Sequence, residues 1–192
     1  RTAIGANLRA GHLVVTIGEA QAYGGVIKGS VTLANIEAGV DVKCQIQLHE
    51  VDLESALGQL FGLHRIEGKG TISFTADGTG DSVLSITRTL TGTASLIGAH
   101  GALVGLNIEQ LLRRLERRPL SGSGDFRNGR TPFDKLVVTA KIVQGNAKVE
   151  EMSIIGPTVK LNLTGSASIP ARDLDLSGTA ALVVASRAGA PP

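Results

Sequence analysis

Aromatic residues and cysteines are scarce in this chain of 192 residues. Aromatics make up 3% of the sequence, tryptophan is absent, and Cys44 is the single cysteine. One cysteine excludes an internal disulfide, and few aromatics leave Leu, Ile, Val and Ala to build the core. Cys44 alternates with Val42 and Ile46, which predicts a buried and inert thiol on the apolar side of a strand.

Long apolar runs and a strong charge are also lacking. No run approaches the about 20 apolar residues that cross a bilayer as a helix, and the net charge is only +2. This charge is too small to indicate a nucleic-acid partner, and scattered aromatics offer no stacking surface for single strands. We therefore expect no nucleic-acid partner.

Residues with catalytic or metal-binding chemistry occur without the spacing that such chemistry needs. Four histidines share no ligand spacing with one another or with the cysteine: His12, His49, His64 and His100. Asp173 and Asp175 would lie on one face of a strand, roughly 6.5–7 Å apart. That separation suits an inverting glycosidase, but the surrounding pattern is that of an ordinary amphipathic strand with a solvated face. The sequence predicts no enzyme, no metal and no cofactor.

Alternation of apolar and polar residues is the main pattern that the chain does show. In residues 40–48, every second residue is apolar and the residues between are polar. This predicts an antiparallel sheet with one buried and one wet face. Two or three strands are predicted in residues 3–34, another in 68–77, and four more in 136–143, 148–155, 158–168 and 174–184.

Three short helices interrupt the strands. Asp52 is the predicted N-cap of the first, Asp81 of the second and Asn107 of the third, since each precedes an amphipathic pattern. DLESALGQL after residue 51 and NIEQLLRRL after residue 106 are alike, which favours a duplicated strand–helix unit, residues 1–90 and 91–184. The prediction is one mainly β domain, residues 1–184, followed by a flexible tail, residues 185–192. Its fold class is a curved antiparallel sheet, either a β-groove or sandwich-like, with amphipathic helices packed on or capping it.

Two motifs resemble those of a known family. GTASLIGAHGALVGLNIEQLLR, residues 92–113, is similar to the strand, small-residue turn and helix of the AsmA family. GRTPFDKL, residues 129–136, is similar to that family's G-x-T-P-F-x-x-L motif. The resemblance covers roughly residues 51–182. One departure is His100, where the family more often has Asp or Asn in a tight turn.

The resemblance implies a function in the cell envelope. AsmA-like proteins are envelope proteins of Gram-negative bacteria, anchored in the inner membrane, with a long β-rich periplasmic body. They are implicated in outer-membrane biogenesis, and their relatives look like bridge-type lipid-transfer proteins. The chain would be a C-terminal periplasmic portion of such a protein.

The leading functional hypothesis is therefore a groove that binds phospholipid or another envelope lipid. Its predicted acyl-chain lining consists of aliphatic strand positions and one aromatic: Val42, Ile46, Leu48, Ile72, Phe74, Val159, Leu161 and Leu163. The competing hypothesis is a scaffold for an envelope protein partner, in which the same residues form a dry core and edge strands pair with the partner.

A cluster of arginines follows the Asn107 cap: Arg113, Arg114, Arg117 and Arg118. One interpretation is that these cations complement the helix dipole at its C-terminus. The other is a contact with anionic headgroups of phospholipid or lipopolysaccharide near a membrane surface.

Overall fold

A computed structural model describes residues 3–116, 129–171 and 173–183. Ten strands form one curved antiparallel sheet in which each strand pairs with the next along the chain. The strands are β1 Ala3–Arg9, β2 His12–Ala22, β3 Gly25–Ile36, β4 Gly39–Asp52, β5 Ile66–Gly80, β6 Thr91–Val104, β7 Arg130–Val143, β8 Asn146–Ile155, β9 Val159–Ser168 and β10 Asp173–Leu182. The helices are α1 Leu53–Phe61, α2 Val83–Thr89 and α3 Ile108–Glu116.

Tight hairpins join several neighbouring strands. Both central residues have positive φ in the turns Ala10-Gly11, Tyr23-Gly24 and Gln144-Gly145. This is the conformation whose twist matches that of the flanking strands. Residues 3–36 contain three strands rather than two.

The sheet has one apolar and one polar side. Directly opposed residues on neighbouring strands point to the same side, so the pairing register can be followed across the whole sheet. One such row, the central row, crosses all ten strands without a polar side chain: Ile4, Ile17, Gly29, Ile46, Phe74, Ala94, Ala140, Val149, Gly165 and Leu176.

Two further rows complete this pattern. The row beside the central row is also free of polar side chains apart from its cysteine: Ala6, Val15, Val31, Cys44, Ala76, Gly92, Ile142, Ala147, Ala167 and Leu174. The row between them, on the other side, is polar beyond its first glycine: Gly5, Thr16, Ser30, Gln45, Thr75, Thr93, Lys141, Lys148, Ser166 and Asp175.

Two helices cover opposite ends of the apolar side. At one end, α1 begins where Asp52 Oδ1 accepts the Ser55 N–H at 2.8 Å. Its Leu53 side chain lies over Gly70, where an added Cβ would be 3.0 Å from Leu53 Cδ2. At the other end, α2 lies over Gly78, where an added Cβ would be 2.9 Å from the Ile86 carbonyl oxygen. Glycine is needed at both positions because the helices approach the sheet so closely.

The caps of the other two helices differ in how well the sequence predicts them. Asn107 Oδ1 accepts the Gln110 N–H at 2.9 Å, so the predicted cap of α3 is confirmed. The predicted cap of α2 is wrong by one residue. Ser82, not Asp81, is the N-cap and exchanges hydrogen bonds with Ser85 in a capping box. Asp81 instead accepts a hydrogen bond from the Ser85 hydroxyl at 2.8 Å.

Two clusters of buried residues lie at the α1 end of the sheet. One cluster joins α1 to the sheet through six residues: Leu48, Val51, Leu53, Ala56, Leu57 and Ile72. A second cluster contains Phe133, Leu136 and Ile154. The Phe133 ring fills space left by two glycines, since an added Cβ would lie 3.5 Å from the ring at Gly98 and 2.5 Å from it at Gly101.

The single sheet decides between the two architectures that the sequence left open. The predicted curved antiparallel sheet with short helices is confirmed, and the described residues form one sheet rather than the two packed sheets of a sandwich. The predicted tight turn at His100 is wrong, because His100 lies inside β6, where the register with β5 shifts. Its φ of 50° is in the left-handed region where Asp and Asn are the commoner choices. The duplication of residues 1–90 and 91–184 stays a prediction, and the tail 185–192 lies outside the described residues.

Candidate functional site

The apolar side of the sheet is uncovered between α1 and α2. None of the ten residues of the central row is buried: Ile4 is exposed and the other nine are half-buried. By contrast, Leu48 and Val51, under α1, are 2% and 0% exposed. We call this uncovered strip, whose floor is the central row, the groove.

The groove runs across the strands rather than along them. Strands are spaced about 4.8 Å apart, so a row over ten strands is roughly 40 Å long. On β5, Gly70 lies under α1 and Gly78 under α2, and Phe74 lies midway between them. The two helices therefore flank the groove on opposite sides at β5.

The structure brings all eight predicted lining residues to the apolar side, but at different depths. Five are half-buried there: Val42, Ile46, Phe74, Leu161 and Leu163. Three belong to the packed core, because Leu48 is 2% exposed, Ile72 8% and Val159 1%. Acyl-chain contact at these positions stays a prediction, and the geometry favours the half-buried five.

The groove floor also contains residues that the sequence did not predict as lining. Ile17, Ala94, Ala140 and Val149 lie in the same row as Ile46 and Phe74. Cross-strand register places them there, and alternation within single strands does not reveal register.

Cys44 lies in the row beside the central row and is half-buried rather than fully buried. Desolvation raises the pKa of its thiol, which keeps it protonated and unreactive. The prediction of an inert thiol agrees with this environment, although its burial is only partial.

The arginine cluster begins beside an acidic residue. Arg113 Nε donates to Glu109 Oε1 at 2.8 Å, and this hydrogen bond holds the pKa of Glu109 below its ordinary value. The Arg113 side chain is still 61% exposed. Together with Asn107, Gln110 and Arg114 the pair lines an open hollow of about 430 Å³. Arg117 and Arg118 lie outside the described residues.

Comparison with known protein families identifies the family of this chain. The model of the AsmA family matches residues 5–152. The chain belongs to the AsmA family. The match includes the first three strands, which the motifs quoted above left outside the resemblance. No curated protein and no solved structure matches the chain. AsmA-family proteins belong to the cell envelope, where their role is related to envelope and outer-membrane assembly.

A second, larger hollow of this AsmA-family chain has a different character. It measures about 1000 Å³ and lies at the bulge of β8, where Lys141 and Lys148 are directly opposed. Asn146, Thr164 and Ser166 also line it. These side chains belong to the polar side of the sheet, but Val149 and Gly165 of the central row line the hollow as well.

The remaining candidate chemistry is dispersed over the surface. In residues 3–116, 129–171 and 173–183, no three His, Cys, Asp or Glu side chains come together as metal ligands. His12, His49, His64 and His100 are all exposed. Asp173 and Asp175 are exposed on the polar side of β10, as the solvated-face interpretation predicts. None of the helices described is both long enough and apolar enough to cross a membrane.

Proposed function

We propose that this AsmA-family chain is a non-enzymatic periplasmic module that binds acyl chains of phospholipid or another envelope lipid in the groove. In this proposal it contributes to outer-membrane biogenesis by holding or transferring lipid, as part of a protein anchored in the inner membrane. The observation that supports the proposal is the central row, which is apolar on all ten strands and buried on none.

Hydrophobic burial alone is enough to bind an acyl chain here. Covering apolar surface contributes about 25 cal/mol per Å², or about 0.8 kcal/mol for each buried methylene. Uncovered apolar strips of this extent are unusual on proteins that bind nothing. No hydrogen-bonding group is required in the groove floor, and the central row offers no polar side chain.

The length of the groove suits lipid chains laid across the strands. A bilayer's hydrocarbon core is about 30 Å thick and contains two chain lengths end to end. A row of roughly 40 Å therefore exceeds a single acyl chain. A scaffold with a dry core is less well supported, because the central row would then have to be covered by other parts of the chain.

The α3 hollow supports a secondary role in binding an anionic headgroup. Arginine is suited to phosphate because its planar guanidinium donates several hydrogen bonds. Arg113 is exposed enough to exchange Glu109 for a headgroup, and Arg114 lines the same hollow. We extend this proposal to Arg117 and Arg118, which follow in the sequence.

Lipid that copurifies with the protein tests the main proposal. We expect the chain, purified without detergent and extracted with organic solvent, to release phospholipid in near-stoichiometric amount by mass spectrometry. An unrelated β protein of similar size, prepared in parallel, should release only traces. A chain that is lipid-free as isolated, and still lipid-free after incubation with phospholipid vesicles, would overturn the proposal.

Removing two charges at α3 tests the headgroup role. The double variant Arg113→Gln, Arg114→Gln should lose affinity for vesicles containing anionic lipid, by about one kcal/mol for each charge near the surface. Its affinity for neutral phosphatidylcholine vesicles should be unchanged. The matched control is Arg88→Gln with Lys43→Gln, which removes the same charge from exposed positions outside α3. Equal losses in the two double variants would show that only net charge matters.

A further inference from the structure

Two neighbouring aliphatic residues at the start of α2 are exposed. Val83 is 80% exposed and Leu84 is 50% exposed, and we call this pair the α2 tip. Val83 precedes Ile86 by three residues, so the two lie on the same side of the helix. Ile86 faces the sheet, since its Cγ2 would be 3.3 Å from a Cβ added at Gly78. Val83 thus continues the sheet-facing side of α2 past the residues that the sheet covers.

α2 buries less of itself against the sheet than α1 does. No residue of α2 is buried, whereas Leu53 and Ala56 of α1 are both 0% exposed. The C-terminal end of α2 is held by Thr89, whose Oγ1 accepts the Thr79 N–H at 2.8 Å and donates to the Thr79 carbonyl at 2.7 Å. The α2 tip lies at the other end of the helix. A side of the groove with so few buried contacts is the easier one for an acyl chain to cross.

The α2 tip also lies away from most of the chain that the structure does not describe. Because successive strands run in opposite directions, β1 and β7 begin at the α1 end of the sheet and β10 ends there. α3 begins at that end too, where the Ile108 N–H donates to Thr131 Oγ1 at 3.0 Å. Residues 1–2, 117–128 and 184–192 therefore join the described chain at the α1 end, and residue 172 joins it at the α2 end.

The size and chemistry of the α2 tip fit a bilayer interface. Two aliphatic side chains present roughly 200 Å² of apolar surface, whereas a stable protein partner needs about 800 Å² on each side. A bilayer sets no such minimum, because its binding strength scales with whatever apolar area is buried. Within residues 81–90 the charges of Asp81 and Arg88 balance. Contact at the α2 tip should therefore not require anionic lipid.

We propose that the α2 tip inserts into the interface of a phospholipid bilayer and so brings the α2 side of the groove against the lipid that enters or leaves it. This inference rests on the function proposed above and adds the side from which lipid reaches the groove. At β5, α2 lies over Gly78, and Phe74 of the groove floor is four residues away on the same strand. Because only two side chains insert, the contact is weak and reversible.

An introduced tryptophan tests the membrane contact directly, because the chain has none of its own. The emission of Val83→Trp should shift to the blue with phosphatidylcholine vesicles, and vesicles with brominated acyl chains should quench it. The matched control is Leu63→Trp, at a leucine that is 53% exposed just after α1, and its emission should not change. Adding Phe74→Asp to Val83→Trp should leave the shift in place, since the tryptophan contacts the bilayer rather than a chain bound in the groove.

The rate of lipid uptake tests the consequence for the groove. The double variant Val83→Ser, Leu84→Ser should take up fluorescent phosphatidylcholine from vesicles several-fold more slowly than the wild-type chain. The amount bound at equilibrium should be unchanged, because the groove floor is intact. The matched control, Leu60→Ser with Leu63→Ser, removes two exposed leucines from the α1 side and should take up lipid at the wild-type rate.

The outcomes separate this inference from the function on which it rests. A wild-type chain that takes up no lipid would contradict the proposed function, and the tryptophan response then decides the membrane contact by itself. Four results would overturn the inference alone. They are a Val83→Trp emission that ignores vesicles, an equal response from Leu63→Trp, a response that Phe74→Asp abolishes, and uptake by Val83→Ser, Leu84→Ser as fast as by a wild-type chain that does bind lipid.

Discussion

Replacing Phe74 with aspartate is expected to weaken acyl-chain binding by about tenfold or more, equivalent to at least about 1.4 kcal/mol. Phe74 lies in the central row between Ile46 and Ala94, midway between the two helices that flank the groove. An acyl chain that covers this position would have to desolvate the new carboxylate. That cost is several kcal/mol when no partner is present, and the central row offers none.

Thr75 provides a matched control one residue away. Its side chain is exposed on the polar side of the sheet, so Thr75→Asp should leave lipid binding unchanged. Phe74 belongs to neither of the buried clusters of the described residues, so both variants should remain folded. Urea unfolding should be followed beside titration with a fluorescent phospholipid.

A second variant of the central row tests whether the loss of binding is specific to the surroundings of Phe74 or is a property of the whole groove. Ile17→Asp, three strands away on β2, should weaken binding as Phe74→Asp does. If the two groove variants and Thr75→Asp bind lipid equally, the groove is not the binding site.

Replacing Gly101 with alanine is expected to reduce the free energy of unfolding by about 3 kcal/mol or more, beyond the usual range for overpacking. An added Cβ would lie 2.0 Å from the backbone oxygen of Glu67 and 2.5 Å from Cζ of Phe133. The first of these contacts is with backbone, which cannot rotate away. The Phe133 ring is 2% exposed and packed against Leu136 and Ile154, so it has little room to move.

The matched control is the glycine of β1. Gly5 has no atom within 4 Å of an added Cβ, so Gly5→Ala should change stability by no more than about 0.5 kcal/mol. Circular dichroism during thermal unfolding should show the difference, because 3 kcal/mol corresponds to a decrease in Tm of about 6–12 °C for a chain of this size. Similar Tm values for the two variants would contradict the packing described around Phe133.

Local sequence patterns predict the elements of this fold well. Alternation identifies β4 because each residue in it is either apolar and turned to one side or polar and turned to the other. The helix caps at Asp52 and Asn107 depend on contacts three residues apart, which are visible in the sequence. At α2, Ser82 and Ser85 each accept a hydrogen bond from the backbone N–H of the other, so Ser82 rather than Asp81 is the N-cap. The ion pair of Arg113 with Glu109 is also local, at i,i+4, and its spacing alone predicts it.

The sequence does not predict how deeply each apolar side chain is buried. Leu48 and Ile46 have the same place in the same alternation, yet the first is core and the second lies in the groove. The difference comes from α1, which packs over the Leu48 end of the sheet and leaves the Ile46 row uncovered. The cross-strand row likewise needs the register of nine strand pairs, and several of those pairs contain bulges.

The order of strands in the sheet has a consequence for how the protein is made. Each strand pairs with the one that precedes it in the chain, from β1 to β10. A polypeptide that emerges gradually during synthesis can therefore assemble this sheet progressively, each new segment adding to an edge that is already in place. No strand waits for a distant partner, so the entropy of closing long loops stays small and little apolar surface is left unpaired while the chain is being made.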